Sequence, residues 1–457
     1  MATLKTASKA AAVNPLKMSQ PLGAAYAFLG MNRCMPVMHG SQGCTSFGLV
    51  LLVRHFREAI PLQTTAMNEV ASIMGGMENI EKAILNIRQR TKPDLIAICS
   101  TGLTETKGDD VDAYLQIIRL RHPELADTAL VYASTPDYVG AFQDGWAKAV
   151  EAIVRALAEP STEKRPKQVN ILAGCHLTPA DIEEVREIVE SFGLTAIVLP
   201  DVSGSLDGHM SDEFSPTTMG GTTLAEMKSM SASVATIAIG EQMRPAAQAL
   251  ELIGGVPYVM FERLTGLEVN DRFLATLSQL SGAPIAGKYR RLRSQLQDAM
   301  LDGHFFFGGK KVAIGAEPDL LVALSAWLLE MGCEIPTAIT TTASAAFENL
   351  PIEQVTVGDL EDLERGAAGC DLLITHSHGR QAAERLHIPF HRAGLPLFDR
   401  LGAGHQLSVG YRGTRGLIFE IGNLFLGDHH ERNPETWRLP QSTLDALAPR
   451  ATASSTF

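Results

Sequence analysis

The stretch DLIAICST, residues 94–101, sets five consecutive apolar residues between an aspartate and two hydroxyl residues. A strand with one face in water alternates polar and apolar side chains, so an unbroken apolar run predicts a strand that is buried on both faces. Strands of this kind occur in parallel sheets that carry helices on both sides. The stretch therefore predicts an α/β fold.

Short runs of the same kind recur along the chain, and turn residues and a helical pattern follow them. The runs are ALVYAST (129–135), VNILAG (169–174), AIVLPDV (196–202), ATIAIG (235–240), PYVMFER (257–263), KVAIGAE (311–317), EIPTAITTT (334–342), VTVGDL (355–360), DLLITHS (371–377) and LPLFD (395–399). Ligands bind outside the carboxyl ends of strands in such sheets. The polar loop STGLTETKGDD, which follows the first run, is therefore a candidate part of a site.

Two gaps divide this pattern. AEPSTEKRPKQ (158–168) is polar and charged and indicates a linker, and residues 281–311 indicate a helix followed by a glycine-rich turn. We therefore predict three doubly wound, Rossmann-like α/β domains with mainly parallel sheets flanked by helices. Their predicted bounds are 1–160, 165–300 and 305–457, and the third domain includes a C-terminal tail.

Composition argues against several kinds of partner. The net charge of −12 makes nucleic acid a poor partner. The apolar run at residues 49–53 is far short of the ~20 residues that a membrane span needs. Six cysteines without a C-x-x-C pair argue against a disulfide framework. We therefore predict a cytoplasmic protein that binds neither nucleic acid nor a membrane, and we expect its basic first fifteen residues to form a flexible arm.

Positive charge is concentrated near the start of the chain, where no Asp or Glu precedes Glu58. Six basic residues occur before it: Lys5, Lys9, Lys17, Arg33, Arg54 and Arg57. An acid-free segment would favour a thiolate or a bound anionic group within it. A solvated basic arm would give the same pattern.

The sequence MHGSQGC, residues 38–44, presents Cys44 just ahead of an apolar helical pattern. The apolar positions of that pattern are Leu49, Leu52, Val53 and Phe56. Gly40 and Gly43 allow a tight turn before Cys44, which is predicted to lie at or just before a helix N-terminus. The helix dipole lowers a thiol pKa there. The position suits a nucleophile or a metal-ligating thiolate, and a purely structural cysteine remains an alternative.

The other cysteines have weaker signals. Cys175, Cys333 and Cys370 lie at the edges of apolar runs, and Cys99 ends the run DLIAIC, so all four are expected to pack as small buried hydrophobes. Cys34 follows Arg33 in a predicted loop. Cys34 and Cys99 stay open as transient ligands, although structural roles are favoured for both.

Several longer blocks resemble one protein family. They are NPLKMSQPLGA, MPVMHGSQGC, VRHFRE, STGLTETKGDD, STPDYVGAFQDGW, PDVSGSLDGH, GGTT and PLFDRLG...VGYRG, in this order. Together they resemble the β-type subunits of the nitrogenase molybdenum–iron protein superfamily from about residue 14 to residue 425. The blocks GSQGC and GDD are the most specific.

The resemblance also reveals a departure at the metal site. In the catalytic β subunits of that superfamily, three cysteines hold half of the eight-iron P-cluster. The matching positions in this chain are Ser19, Cys44 and Gly102. With two of the three thiolates missing, a P-cluster of the catalytic type cannot be held in the usual way.

This pattern is similar to that of the cofactor-assembly scaffolds of the superfamily. The resemblance implies a [4Fe–4S] cluster shared at a subunit interface, with three thiolates from the α-like partner NifE and the fourth from Cys44. It implies that the iron–molybdenum cofactor precursor, donated by NifB, is held mainly by the partner. The implied assembly is an α2β2 heterotetramer that docks the ATP-hydrolysing nitrogenase iron protein, and this chain would be a scaffold subunit rather than an enzyme.

Two other readings are open at this point. The chain could be a catalytic or reductase subunit of nitrogenase or of the related dark-operative protochlorophyllide reductase, which also shares a [4Fe–4S] cluster between subunits. It could instead be a monomeric α/β protein that binds a nucleotide or sugar and no metal.

Overall fold

The computed structural model describes residues 2–6, 14–69, 73, 75–210 and 212–431. The strands are β1 (Thr3–Thr6), β2 (Cys34–His39), β3 (Gln63–Thr64), β4 (Leu95–Ser100), β5 (Ala129–Ala133), β6 (Gln168–Leu172), β7 (Thr195–Leu199), β8 (Ala235–Ile239), β9 (Tyr258–Phe261), β10 (Lys311–Ala316), β11 (Glu334–Thr340), β12 (Gln354–Val357), β13 (Leu372–Thr375) and β14 (Phe390–Arg392). The predicted C-terminal tail after Glu431 lies outside the described residues.

The α-helices that the structure describes fill the connections between these strands. They are α1 (Gln20–Leu29), α2 (Gln42–Phe56), α3 (Met77–Thr91), α4 (Gly102–Lys107), α5 (Val111–Arg121), α6 (Phe142–Leu157), α7 (Pro179–Glu190), α8 (Leu224–Ser229), α9 (Arg244–Gly254), α10 (Leu267–Ser281), α11 (Gly287–Phe307), α12 (Pro318–Glu330), α13 (Leu360–Gly366), α14 (Arg380–Leu386) and α15 (Gly410–Glu431). None of these helices is both long and apolar enough to cross a lipid bilayer.

The strands form three sheets, and every pairing between described strands is parallel. The first sheet has the order β3-β2-β4-β5, the second β7-β6-β8-β9 and the third β1-β12-β11-β10-β13-β14. The opening stretch DLIAICST forms β4, which lies between β2 and β5 and is buried along its whole length. The prediction of mainly parallel sheets flanked by helices is therefore confirmed, and the predicted domain boundaries stay a proposal.

Two strand predictions differ from the structure. The run at 395–399 forms no strand: the third sheet ends with β14, and the backbone N–H of Leu397 donates to the His55 ring instead (2.9 Å). Conversely, Cys34 lies not in a loop but at the start of β2, a fully buried strand. Pro36 lies in the middle of that strand, and a proline ordinarily argues against a central strand because it has no N–H to donate.

The N-terminal arm also differs from expectation over four residues. Thr3–Thr6 forms β1 and pairs in parallel register with Gln354–Val357 at the edge of the third sheet. Threonine favours extended backbone. The expectation of a flexible arm is thus wrong for these residues.

Helices α1 and α6 approach each other closely enough for backbone contact. A Cβ at Gly23 would collide with the carbonyl oxygen of Phe142, and one at Gly145 would collide with that of Gln20. The indole N–H of Trp146 in α6 then donates to the carbonyl of Ala173, just after β6 (3.0 Å). This crossing therefore joins the first sheet to the second.

The three sheets meet around a small cavity of about 60 Å³. Its walls include Tyr26 from α1, His176 from the loop after β6 and Glu317 from the loop after β10. Neither ring nitrogen of His176 has a hydrogen-bond partner in the described part of the chain. The Glu317 carboxyl accepts a hydrogen bond from the Thr341 hydroxyl (2.8 Å), and burial raises its pKa to about 8. The junction therefore holds a carboxyl group that keeps its proton at neutral pH.

Glu317→Gln should make the fold less sensitive to rising pH. The native state keeps the Glu317 proton up to about pH 8, whereas the unfolded chain releases it near its ordinary pKa of 4.5. Wild-type stability should therefore fall between about pH 4.5 and pH 8, by an amount on the order of a few kcal/mol for this one group. Glutamine has no such proton, so the variant should lose less stability over this interval.

The measurement is the midpoint of urea unfolding at pH 5 and at pH 8. Glu348→Gln, at an exposed position, serves as the control and should behave as the wild type does. An identical pH dependence in Glu317→Gln and in the wild type would contradict the assignment.

Candidate functional site

The three positions singled out by the resemblance all lie at helix starts. Ser19 is the N-cap of α1, Cys44 lies in the first turn of α2 after its N-cap Ser41, and Gly102 is the first residue of α4. Helices α2 and α4 directly follow the adjacent parallel strands β2 and β4. Their N-termini therefore meet at one edge of the first sheet.

A single cleft lies at this edge of the first sheet. Its volume is about 320 Å³, and it is lined by Pro15, Lys17, Met18, Ser19, Pro21, Leu22, Met38, Cys44, Phe47, Gly48, Leu51, Thr101 and Asp137. Most of these side chains are apolar, so charge is confined to a few of them. Cys44 is partly exposed, and its sulfur lies 3.5 Å from the Ser41 hydroxyl oxygen.

Hydrogen bonds from two threonine hydroxyls fix the end of β2, just before the segment that carries Cys44. The carbonyl of His39 accepts hydrogen bonds from the hydroxyls of Thr101 (3.0 Å) and Thr104 (3.2 Å). A Cβ at Gly40 would collide with the Thr101 hydroxyl. Gly40, four residues before Cys44, is therefore required by the close approach of two loops.

Helix α2, which contains Cys44, begins where the sequence predicts but buries a partly different face. The predicted apolar stripe includes Val53, which is 37% exposed, and Phe47 and Val50 are 68% and 51% exposed. The buried side of α2 consists of Thr45, Gly48, Leu51, Leu52 and His55. The predicted stripe is thus partly wrong, because α2 carries apolar residues on its outer face as well.

Asp137 was not foreseen as a site residue. It follows β5 in the block STPDYVGAFQDGW and lines the same cleft as Cys44. Its carboxylate occupies the space that a side chain at Gly102 would need, since a Cβ there would collide with the Asp137 Oδ1 atom. The acid-free segment before Glu58 therefore does not produce an acid-free site, because a carboxylate arrives from a distant part of the chain.

Apolar side chains next to the cleft are exposed. Phe47 is 68% exposed, Tyr138 60%, Val139 50% and Leu103 39%. Tyr138 and Val139 follow Asp137, and Leu103 follows Gly102. Adjacent exposed apolar groups of this size typically mark a surface that another molecule covers.

Asp109, in the block GDD, contacts the end of β2 close to the cleft. Asp109 lies 3.4 Å from the His39 ring and accepts a hydrogen bond from the Tyr114 hydroxyl (3.2 Å). Burial lowers the His39 pKa to about 4, against the opposing effect of Asp109. The other His39 ring nitrogen pairs with the Thr65 hydroxyl (2.9 Å). His39 and Asp109 thereby anchor the end of β2, five residues before Cys44.

Cys34 and Cys99, the two cysteines left open as transient ligands, are poorly placed to bind metal. Cys34 and Cys99 are fully buried in β2 and β4. Burial raises the pKa of Cys99 to about 12 and that of Cys34 further. Over the described residues, no group of three or more His, Cys, Asp or Glu side chains could hold a metal ion. Among the cysteines of the described residues, Cys44 is the one that lines this cleft.

The chain is similar to one family model and to several known proteins. Residues 19–426 match the model of the family described as nitrogenase component 1 type oxidoreductase. Similar curated proteins are named nitrogenase iron-molybdenum cofactor biosynthesis protein NifN. That of Bradyrhizobium diazoefficiens is 58% identical over 96% of this chain and 97% of its own, and that of Herbaspirillum seropedicae is 58% identical over 92% and 97%.

More distant relatives follow the same pattern. The protein of the same name from Nostoc sp. is 52% identical over 94% of this chain and 97% of its own. The solved structure named "Nitrogenase Cp1 at pH 6.5" superposes with a TM-score of 0.89 at 33% identity and covers 95% of this chain and 98% of the solved chain. The whole α/β architecture is therefore shared with nitrogenase.

Gly40→Ala should disturb the Cys44 loop, whereas Gly43→Ala should not. The added methyl at position 40 meets the Thr101 hydroxyl, while the nearest atom to one at position 43 is the Ser41 hydroxyl oxygen at 3.8 Å. Overpacking of this kind costs about 1–3 kcal/mol. Thermal unfolding should show a lower midpoint for Gly40→Ala alone, and equal midpoints for the two variants would contradict the close contact.

Proposed function

Because the chain belongs to the nitrogenase component 1 type oxidoreductase family, we propose that it is the β-like subunit of the scaffold on which the nitrogenase iron–molybdenum cofactor is matured. Relatives that are 52–58% identical over nearly their whole length carry the biosynthetic name, which supports an assembly role. A scaffold subunit of this kind performs no substrate turnover of its own.

The observation that carries the proposal is the distribution of ligands around the cleft. Of the three helix starts that meet there, only one carries a thiol, Cys44. Ser19 takes one of the other positions, and at Gly102 the Asp137 carboxylate fills the space of a side chain. A site that keeps one thiolate and closes another position is suited to a smaller cluster than the catalytic P-cluster.

Cys44 would be this chain's ligand to a [4Fe–4S] cluster, which takes four thiolates and would receive the others from a NifE-like α subunit. Such a cluster supplies one-electron transfer when it is bound. The exposed apolar residues Phe47, Leu103, Tyr138 and Val139 would be covered by that subunit and would exclude water from the cleft. His39 and Asp109 would hold the Cys44 loop in place at the end of β2.

The same proposal includes the wider assembly. Two copies of this chain and two of the α subunit would form an α2β2 heterotetramer in the cytoplasm. The cofactor precursor, donated by NifB, would be held mainly by the α subunit, and the nitrogenase iron protein would dock on the assembled pair. The first of the three proposed domains, residues 1–160, would supply the cluster ligand.

Cys44→Ala is the direct test of the ligand. In the complex with the partner, purified without oxygen, this change should weaken or alter the electron paramagnetic resonance signal of the [4Fe–4S] cluster. Iron content should fall by up to about four atoms per pair, since the cluster contains four irons. Cys370→Ala is a matched control, because Cys370 lies beside the third sheet, where it packs in an apolar cluster and its thiol donates to the carbonyl of Gly366 (3.9 Å).

The outcome separates the possibilities clearly. If the resonance signal is lost in Cys44→Ala and kept in Cys370→Ala, the result supports Cys44 as a cluster ligand. An unchanged spectrum and iron content in Cys44→Ala would remove Cys44 as the ligand.

Turnover distinguishes a scaffold from the catalytic or reductase alternative. The complex should reduce little or no acetylene or protochlorophyllide when it is supplied with iron protein, ATP and dithionite. Purified catalytic nitrogenase, assayed in parallel, gives the reference rate for acetylene. A rate near that reference, or rapid protochlorophyllide reduction, would contradict the scaffold role.

A further inference from the structure

The cleft around Cys44 carries two ionisable side chains besides the thiol, Lys17 and Asp137. They come from segments that are far apart in the chain: Lys17 precedes α1, and Asp137 follows β5. Neither forms an ion pair with another residue that the structure describes. Both charges can therefore act on whatever occupies the cleft.

The position of Asp137 is built into the fold. Its carboxylate fills the space of a side chain at residue 102, so that any residue other than glycine there would displace it. The loop itself is fixed at Pro136, whose carbonyl accepts a hydrogen bond from the buried Gln20 side chain (3.0 Å). Asp137 is thus held at the cleft by a glycine at the start of α4 and a glutamine at the start of α1.

We propose that Asp137 and Lys17 set the reduction potential of the iron–sulfur cluster held at Cys44, with Asp137 lowering it and Lys17 raising it. This inference rests on the proposed function. A cluster that gains one electron becomes one unit more negative, and its potential depends on nearby charge and on solvent exposure. A carboxylate disfavours the reduced form, whereas an ammonium group favours it.

Coverage by a partner strengthens both effects. In the isolated chain Asp137 is exposed, and water and salt screen an exposed charge. The apolar groups next to the cleft, Phe47, Leu103, Tyr138 and Val139, would exclude water once a partner packs on them. Charge–cluster interactions then act through a medium of lower dielectric constant and become larger.

The test is a redox titration of the purified complex with its partner. Dithionite reduces the cluster by one electron in the presence of redox mediators, and the amplitude of the reduced [4Fe–4S] resonance signal gives the midpoint potential. Asp137→Asn should shift the midpoint to a more positive potential, and Lys17→Gln should shift it to a more negative one. Asp112→Asn removes the same charge from an exposed position on α5 and should leave the midpoint unchanged.

Asp137→Glu separates charge from shape. It keeps the negative charge and should keep a midpoint close to that of the wild type, whereas the neutral Asn variant should not. Asp137→Asn decides the sign of the potential shift. Lys17→Gln is less direct, because the Lys17 charge also acts on Glu317 at the three-sheet junction.

The inference is overturned if Asp137→Asn keeps the wild-type midpoint, or if the Asn and Glu variants shift alike, which would indicate a purely steric role. Both results require that the cluster signal and iron content stay intact. If the wild-type complex lacks a signal that depends on Cys44, the proposed function itself fails, and the two failures are thereby distinguished.

Discussion

The backbone contact between α1 and α6 is the constraint on which the rest of the first domain depends. Gly23 and Gly145 each face a carbonyl oxygen of the opposite helix, so neither position has room for a side chain while the helices lie this close. Helix α1 begins at the cleft wall, and α6 begins a few residues after Asp137. One crossing therefore sets the distance between two walls of the cleft and, through Trp146, ties the first sheet to the second.

Much of this architecture could be predicted from the sequence because it depends on local apolar runs. DLIAICST predicts a buried parallel strand and forms one, since burial on both faces leaves no polar position in the run. The failures have specific physical causes. Pro36 makes the β2 sequence look unlike a central strand. LPLFD resembles a strand, but its Leu397 N–H donates to the His55 ring instead of to a neighbouring strand.

The candidate site was only half predictable for a similar reason. Cys44 is visible because glycines precede it and a helical pattern follows it. Asp137 lies 93 residues further along the chain and enters the cleft only because parallel strands bring their carboxyl ends together. No local pattern reveals that pairing, nor does any explain why residue 102 must lack a side chain.

The pairing of β1 with β12 constrains the order in which the sheets can form. Positions 3 and 354 are neighbours in the third sheet, although the chain between them builds both of the other sheets. Because domains fold while the ribosome still extends the chain, the segment 3–6 leaves the ribosome long before its partner strand exists. The third sheet can close only after the first two sheets have been synthesised, so a truncated translation product would be left with an unmatched strand at its leading end.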